Sequence, residues 1–482
     1  MDSSSRKPRI VSARSPLATA ASYRYTSNRY SSIRGMRMRL IRLALPVYVE
    51  LLTAVVAVGL IDTLWVSGLG SEAVAAVTVA TTTENLALGV ILCVGTGTTV
   101  LIGRRDGRVP LAPVIRTAWL LLGVFAVAVA VPGVLLREPV ARLFTGDPVT
   151  VELTAGYYAV AFAGIPVFFA QNLVDGIFKG LGDTRTPMRT ALLCNALVIG
   201  LDPLLIYGLG LGVRGAALAT VAARLATLAV SALLLARRPA AGRGTEKASA
   251  NRADSAAILR TGLPMSGDFL ARALVGMALA GIVGRHGVAA LAGYGIGLKI
   301  MMAGVMSFYA LRQAAMISTS RAGGADGPPS RRDQAVPVLR YGLAAGLAAS
   351  LVLNALAPAA VGPFTADPAV AAQAVWFLRC MPLYLVPFGG LIAVGGVLQA
   401  GGRGAGLLAA TLAGFAVQLP LAFLLGSRMG PTGIWLAMAA GAALSLGLLR
   451  PAWRGPRAPG RASARGRAPR STRTAAGPRS GR

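Results

Sequence analysis

Two carboxylates stand where a carboxylate is costly. Asp62 lies within Gly59-Leu-Ile-Asp-Thr-Leu-Trp-Val-Ser-Gly-Leu-Gly70, and Asp202 within Asn195-Ala-Leu-Val-Ile-Gly-Leu-Asp-Pro-Leu-Leu-Ile-Tyr207. An acid at the centre of a membrane helix costs about 3 kcal/mol on insertion scales and is kept mainly where it binds or moves something. Two acids sharing an apolar pocket cannot both ionise cheaply, since desolvation and like-charge repulsion both favour the neutral form. Reversible protonation or cation binding, coupled to helix movement, is the chemistry such a pair can do. Asn195 precedes Asp202 by two helical turns and shares its face. Glu84 and Asn85 in another apolar run, and Lys299, Met302 and Met306 in a later one, are candidates to line a substrate cavity, methionine being suited to surfaces that accept varied partners. Asp175 beside Lys179, and Asp268 beside Arg272, have the spacing of local ion pairs.

The elements that must position these groups are membrane helices. The chain has 482 residues, of which 55% are hydrophobic and only 14% charged, with mean hydropathy +0.63. A soluble domain carries nearer a quarter charged residues. Apolar runs long enough to span, about 20 residues each, recur roughly twelve times between residues 40 and 449. The net charge of +30 sits in the two tails and in short loops rather than on a folded basic face, which argues against nucleic acid as a partner. Cys93, Cys194 and Cys380 are far apart and His286 is the single histidine, so neither zinc nor haem ligation nor a histidine-based triad is expected. The chain therefore reads as a non-enzyme without a cofactor. No apolar signal-peptide core precedes about residue 40. Placing both termini in the cytoplasm puts about 38 basic residues inside and about 5 outside, the asymmetry of an even-numbered bundle.

The expected divisions are a basic tail at 1–37, an N-terminal lobe at 38–236, a linker at 237–256, a C-terminal lobe at 257–450 and a second basic tail at 451–482. The tails are rich in Arg, Ser, Gly, Pro and Ala, cannot bury a core, and are expected to be disordered. Membrane lipid is the surrounding partner, with anionic headgroups a candidate for the tails. The halves repeat at an offset near 217 residues: Leu45-Pro46 matches Leu263-Pro264, Asp202-Pro203 matches Leu419-Pro420, and Gly212-Val-Arg-Gly215 matches Gly430-Pro-Thr-Gly433. Six helices per half give both halves the same orientation. The acids are not duplicated. Ala280 partners Asp62 and Leu419 partners Asp202, so cation chemistry is expected in the N-terminal half.

Asp62-Thr-Leu-Trp-Val-Ser-Gly-Leu-Gly70, Lys179-Gly-Leu-Gly-Asp-Thr-Arg-Thr-Pro187, and the block from Asn195 through Gly208 to Gly212-Val-Arg-Gly-Ala-Ala-Leu-Ala-Thr220 resemble the multidrug and toxic compound extrusion (MATE) family, most closely its DinF-like branch. The resemblance covers about residues 40 to 450. It implies an all-α integral membrane protein of twelve transmembrane helices, in two six-helix lobes related by pseudo-twofold symmetry. It implies a bacterial plasma-membrane antiporter, expected to act as a monomer, that exports organic cationic or amphipathic small molecules in exchange for H⁺ or Na⁺. The helix-one acid and the acid before the helix-five proline map to Asp62 and Asp202, and a threonine of the same network maps to Thr220. Where members often carry an asparagine one turn before the helix-five acid, this chain has Val198, which weakens a Na⁺ cage and favours H⁺. The alternative is a lipid or lipid-linked oligosaccharide flippase of the same superfamily, kept open by Lys299, Arg312 and Arg272. A membrane-embedded transferase would need a clustered catalytic set that the sequence lacks.

Overall fold

Long apolar helices are the answer to a solvent that cannot hydrogen-bond a backbone. The computed structural model describes residues 40–57, 61, 64–105, 110–144, 147–238, 251–322 and 331–449, and every element among them is helical. Helix α1 covers 40–51 and widens into a π-turn at Leu52–Ala57. The N-terminal half continues with α2 (Ser71–Arg105), α3 (Ala112–Leu135), a short α4 (Arg137–Arg142), α5 (Pro148–Ala163), α6 (Ile165–Gly180), α7 (Arg185–Pro203, then a π-turn at Leu204–Gly208) and α8 (Gly212–Ala236). The C-terminal half holds α9 (Arg252–Gly284), α10 (Val288–Ala322), α11 (Arg331–Val361), α12 (Pro368–Cys380), α13 (Pro382–Ala400), α14 (Gly404–Met429) and α15 (Pro431–Leu448). Among the described residues, 10 helices are long and apolar enough to cross a membrane, or 11 with α5 and α6 as one bent span. The first span, expected at 40–66, is described only in part.

The repeat extends from sequence into shape. Ser71 and Val288, the first residues of α2 and α10, stand at the same offset as the repeated motifs, and both helices are 35 residues long. The expected spans at 150–173 and 369–396 are each broken, at the matching positions Gly164 and Met381. The chain bends by 47° at the first break. The cause is local: Pro166 and Pro382 fall in the first turn of α6 and α13, where a missing N–H costs nothing but the preceding helix cannot continue past it. The starts match as well. Asp147 accepts from the Thr150 N–H at 2.8 Å and Asp367 from the Ala369 N–H at 2.8 Å, each capping a helix that opens on proline.

Apolar side chains cover the outside as well as the core. Leu120, Val124, Val127, Val131 and Leu135 form one exposed apolar stripe on α3, at the helical spacing that faces lipid. Two apolar cores lie inside, one built on residues of α2, α3, α5 and α6 and the other on residues of α10, α11, α12, α13 and α15. The halves meet along α2 and α9. Here glycines set the approach: a Cβ on Gly262 would lie 1.8 Å from the Cys93 carbonyl oxygen, and one on Gly97 2.3 Å from that of Ile258. Small residues let membrane helices pack at backbone distance where no hydrophobic drive exists between them. At one end the halves are also tied by polar contacts. Arg105 forms a two-pronged pair with Asp254 at 2.5 and 3.0 Å, Arg104 donates to the Ala400 carbonyl at 2.5 Å, and Arg321 reaches the Gly180 carbonyl at 3.4 Å.

Gly262→Val is expected to push α2 and α9 apart and to lower the thermal unfolding midpoint in detergent by many degrees. Gly276→Ala, on the same helix with nothing within 4 Å, should be neutral or gain up to about 1 kcal/mol from backbone entropy.

Candidate functional site

Helix α7 carries one buried stripe, Thr190, Asn195, Val198 and Asp202, along the i, i+3, i+4 pattern of a single face. Asp202 is 0% exposed, immediately before Pro203 and the π-turn Leu204–Gly208. Pro203 cannot donate a backbone hydrogen bond, and π-turns are sites where the helical ladder is loosened. On α8, packed against α7, Thr220 is buried, and among the described residues its hydroxyl has no hydrogen-bond partner. Asn195, Asp202 and Thr220 thus lie on buried faces of two adjoining helices. Asp62 lies outside the described residues. Its flanks are described: Trp65 and Tyr207 meet edge to face at 6.5 Å, and the Tyr207 hydroxyl donates to the Trp65 carbonyl. The end of the first span is therefore tied to the turn that follows Asp202. The π-turn of α1 also packs on α7, and α7 carries a second π-turn just beyond Asp202. Sequence pattern gave no sign of those turns, because a π-turn inserts one residue without changing the apolar run.

A second polar cluster fills the N-terminal half. Lys179 Nζ donates to Glu50 Oε1 at 2.7 Å, both side chains being buried. The local pairing expected between Asp175 and Lys179 gives way to this link between α6 and α1. Asp175 accepts instead from Gln171 Nε2 at 3.0 Å, and Gln171 also reaches Ser231 Oγ of α8 at 3.3 Å. Gln171, Asp175 and Lys179 fall at successive turns of one face of α6. Glu84 accepts a hydrogen bond from the Tyr157 hydroxyl, and Arg224 of α8 acts on both Glu84 and Asp175. Arg224 also caps the Phe168 ring at 4.1 Å. The side chain of Asn85 lies outside the described residues.

The C-terminal half holds a different cluster. Asp268 of α9 receives Arg272 from its own helix at 2.9 Å and Arg312 of α10 at 3.0 Å. The sequence spacing gives the first contact, and only the packing of α10 on α9 gives the second. Lys299, Met302, Met306 and Tyr309 follow one face of α10. That face is exposed at Lys299 and Met302 and covered by Met306.

The loop Lys179–Pro187 has a structural role. Gly182 turns with φ +83°, and the Asp183 carboxylate accepts from the Arg185 and Thr186 N–H groups at 3.1 Å each, from the Thr186 hydroxyl at 2.8 Å and from Arg238 at 2.5 Å. Half-burial pushes this carboxyl up, but the Thr186 and backbone hydrogen bonds and the Arg238 charge hold it net below the usual range.

Buried acids and arginines inside a duplicated helical bundle define a multi-pass membrane protein built to carry something. The MatE family model matches residues 46–204 and 264–424, and the chain belongs to this family. It is a transporter, with twelve transmembrane helices in two six-helix lobes, and not an enzyme. It is 26% identical over 409 residues to a protein of Shewanella oneidensis named FAD transporter, covering 83% of this chain and 90% of that one. It is 23% identical over 314 residues to the multidrug export protein MepA of Staphylococcus aureus, covering 65% and 69%. Among solved structures, a MATE protein in the straight conformation superposes with TM-score 0.78 at 25% identity, covering 85% of this chain and 94% of that one.

Two outcomes follow from this geometry. Lys179→Met should cost about 3–5 kcal/mol by stranding the buried Glu50 carboxylate, and adding Glu50→Gln should restore most of that loss, read as thermal unfolding midpoints of the three variants. Asp183 stabilises through its ionised form, so its contribution is present above the unfolded value near ~3.9 and disappears as pH falls through the lower folded value. Wild type minus Asp183→Ala midpoints should therefore show a gap at neutral pH that closes in acid.

Proposed function

We propose that the protein is a secondary active antiporter, which exports organic amphipathic compounds by alternating access in exchange for protons. The observation that carries this reading is Asp202, fully buried on one face of α7, with the buried Thr220 on the adjoining helix α8. In the proposed cycle Asp62 and Asp202 form the coupling pair, with Thr220 and Asn195 as polar neighbours. No resident cofactor takes part. Protonation from outside neutralises the pair and lets α1 and α7 repack at their π-turns, which weakens binding in the N-terminal lobe. Deprotonation inside restores an acidic lobe, to which Glu84 and Asp175 also belong, that attracts the next cationic group. Val198 in the position of a further amide leaves the site short of oxygen ligands for Na⁺, which favours H⁺. That a similar protein is named an FAD transporter supports aromatic metabolites as cargo beside drugs. Cytoplasmic termini and a bacterial plasma-membrane location fit the distribution of basic residues, and a monomer suffices because both lobes lie in one chain.

Proteoliposomes loaded with a fluorescent organic cation test this directly. An imposed pH gradient should drive its movement in wild type, a sodium gradient should not, and Asp62→Asn and Asp202→Asn should each lose the movement while inserting normally. Full proton-driven export by Asp202→Asn would sink the assignment.

A further inference from the structure

The two lobes differ in the sign of their buried charge. In the C-terminal lobe one carboxylate, Asp268, faces two guanidinium groups, Arg272 and Arg312. Arg312 is 1% exposed, so the cluster holds one positive charge in excess at membrane depth. A buried charge without a counter-ion is strongly disfavoured. The excess is accompanied by unused donors. Among the described residues, Arg312 Nη2 and Gln399 Nε2 are buried with no hydrogen-bond partner, although Arg312 Nε and Gln399 Oε1 are bonded to each other at 3.3 Å. Leaving such donors unmet costs about 1–3 kcal/mol each, more for charged ones. Each of these facts asks for the same missing group, an anion rich in acceptor oxygens. A carboxylate offers two oxygens and a phosphate more, and guanidinium forks suit phosphate geometry.

The surroundings suit an aromatic amphiphile. Arg272 lies 5.2 Å from the Phe388 ring centre and 5.7 Å from that of Phe415, and it retains 14% side-chain exposure. Tyr309, the last residue of the Lys299–Met302–Met306 stripe, lies within electrostatic reach of both arginines. The stripe therefore runs from the exposed Lys299, within the first half of α10, along flexible methionines toward the buried arginines.

We propose that Arg272, Arg312 and Gln399 form an anion-recognition site inside the C-terminal lobe that takes a phosphate group of an amphipathic substrate. This rests on the efflux reading for the word substrate, and on the geometry alone for the site. The carrier then offers acidic groups in one lobe and basic groups in the other, so a cargo molecule with both an aromatic body and a phosphate docks toward the C-terminal side.

The test is thermal unfolding of the purified full-length protein in phosphatidylcholine nanodiscs, titrated with inorganic pyrophosphate against sodium chloride at matched ionic strength. Wild type should show a saturable rise in midpoint. Arg312→Gln should lose it, and Gln399→Leu, which leaves the ion triad intact and guards against a folding defect in the first variant, should bind about tenfold more weakly. No saturable response in wild type, or equal responses in all three proteins, overturns the proposal. Nanodiscs containing phosphatidic acid separate the two sources of phosphate: a lost pyrophosphate response assigns the site to a lipid headgroup, and a retained one to a soluble substrate. No gradient enters this measurement, so its failure is distinct from a failure of proton-driven export.

Discussion

Charge at membrane depth is the constraint from which the rest of the structure follows. Lipid offers neither hydrogen bonds nor counter-ions, so each buried ionised group must be met by the protein. The two lobes meet that demand differently. In the N-terminal lobe acids outnumber their partners locally: Lys179 is bonded to Glu50 and is shared electrostatically with Asp175, which rests otherwise on the Gln171 amide and Arg224. In the C-terminal lobe the balance is reversed around Asp268. A protein whose only task was to fold would gain little from either arrangement, because well-packed apolar side chains replace buried ion pairs at no loss of stability.

The duplicated scaffold makes this asymmetry easy to see. Helix lengths, proline breaks and aspartate caps recur in both halves, as at Gly164 and Met381 or Asp147 and Asp367. These features are set by backbone rules and survive wherever the rules hold. Side-chain chemistry recurs only in part. Asp202 on α7 has Leu419 as its partner on α14, and at the offset that aligns Leu45-Pro46 with Leu263-Pro264, Asp268 matches Glu50 while Arg272 and Arg312 match the uncharged Ala54 and Val94. The shared frame supplies two helical lobes joined along α2 and α9. The unshared residues give each lobe its own buried charge.

Much of this was legible in the sequence, for physical reasons. Span lengths follow bilayer thickness, prolines locate the helix breaks, and the motif block from Asn195 to Thr220 locates a buried stripe at helical spacing. Long-range pairings were not legible. Arg312 meets Asp268 only because α10 packs against α9, Gln399 of α13 meets Arg312 in turn, and Lys179 chooses Glu50 over its own neighbour Asp175 across a helix contact. The π-turns at Leu52–Ala57 and Leu204–Gly208 leave hydropathy untouched and so leave no trace in pattern. The facing of Lys299 and Met302 likewise depends on where neighbouring helices end.

The proposed transport cycle depends on a coupling carboxylate in the N-terminal lobe whose protonation competes with cargo. Proton release on binding measures this most directly: purified protein in weakly buffered detergent near neutral pH, mixed with a permanently charged organic cation, with a dye or glass electrode following free protons. Wild type should release protons in proportion to bound cation, and Asp202→Asn should bind the cation and release fewer. Binding without proton release in wild type, or identical release in Asp202→Asn, would contradict the account.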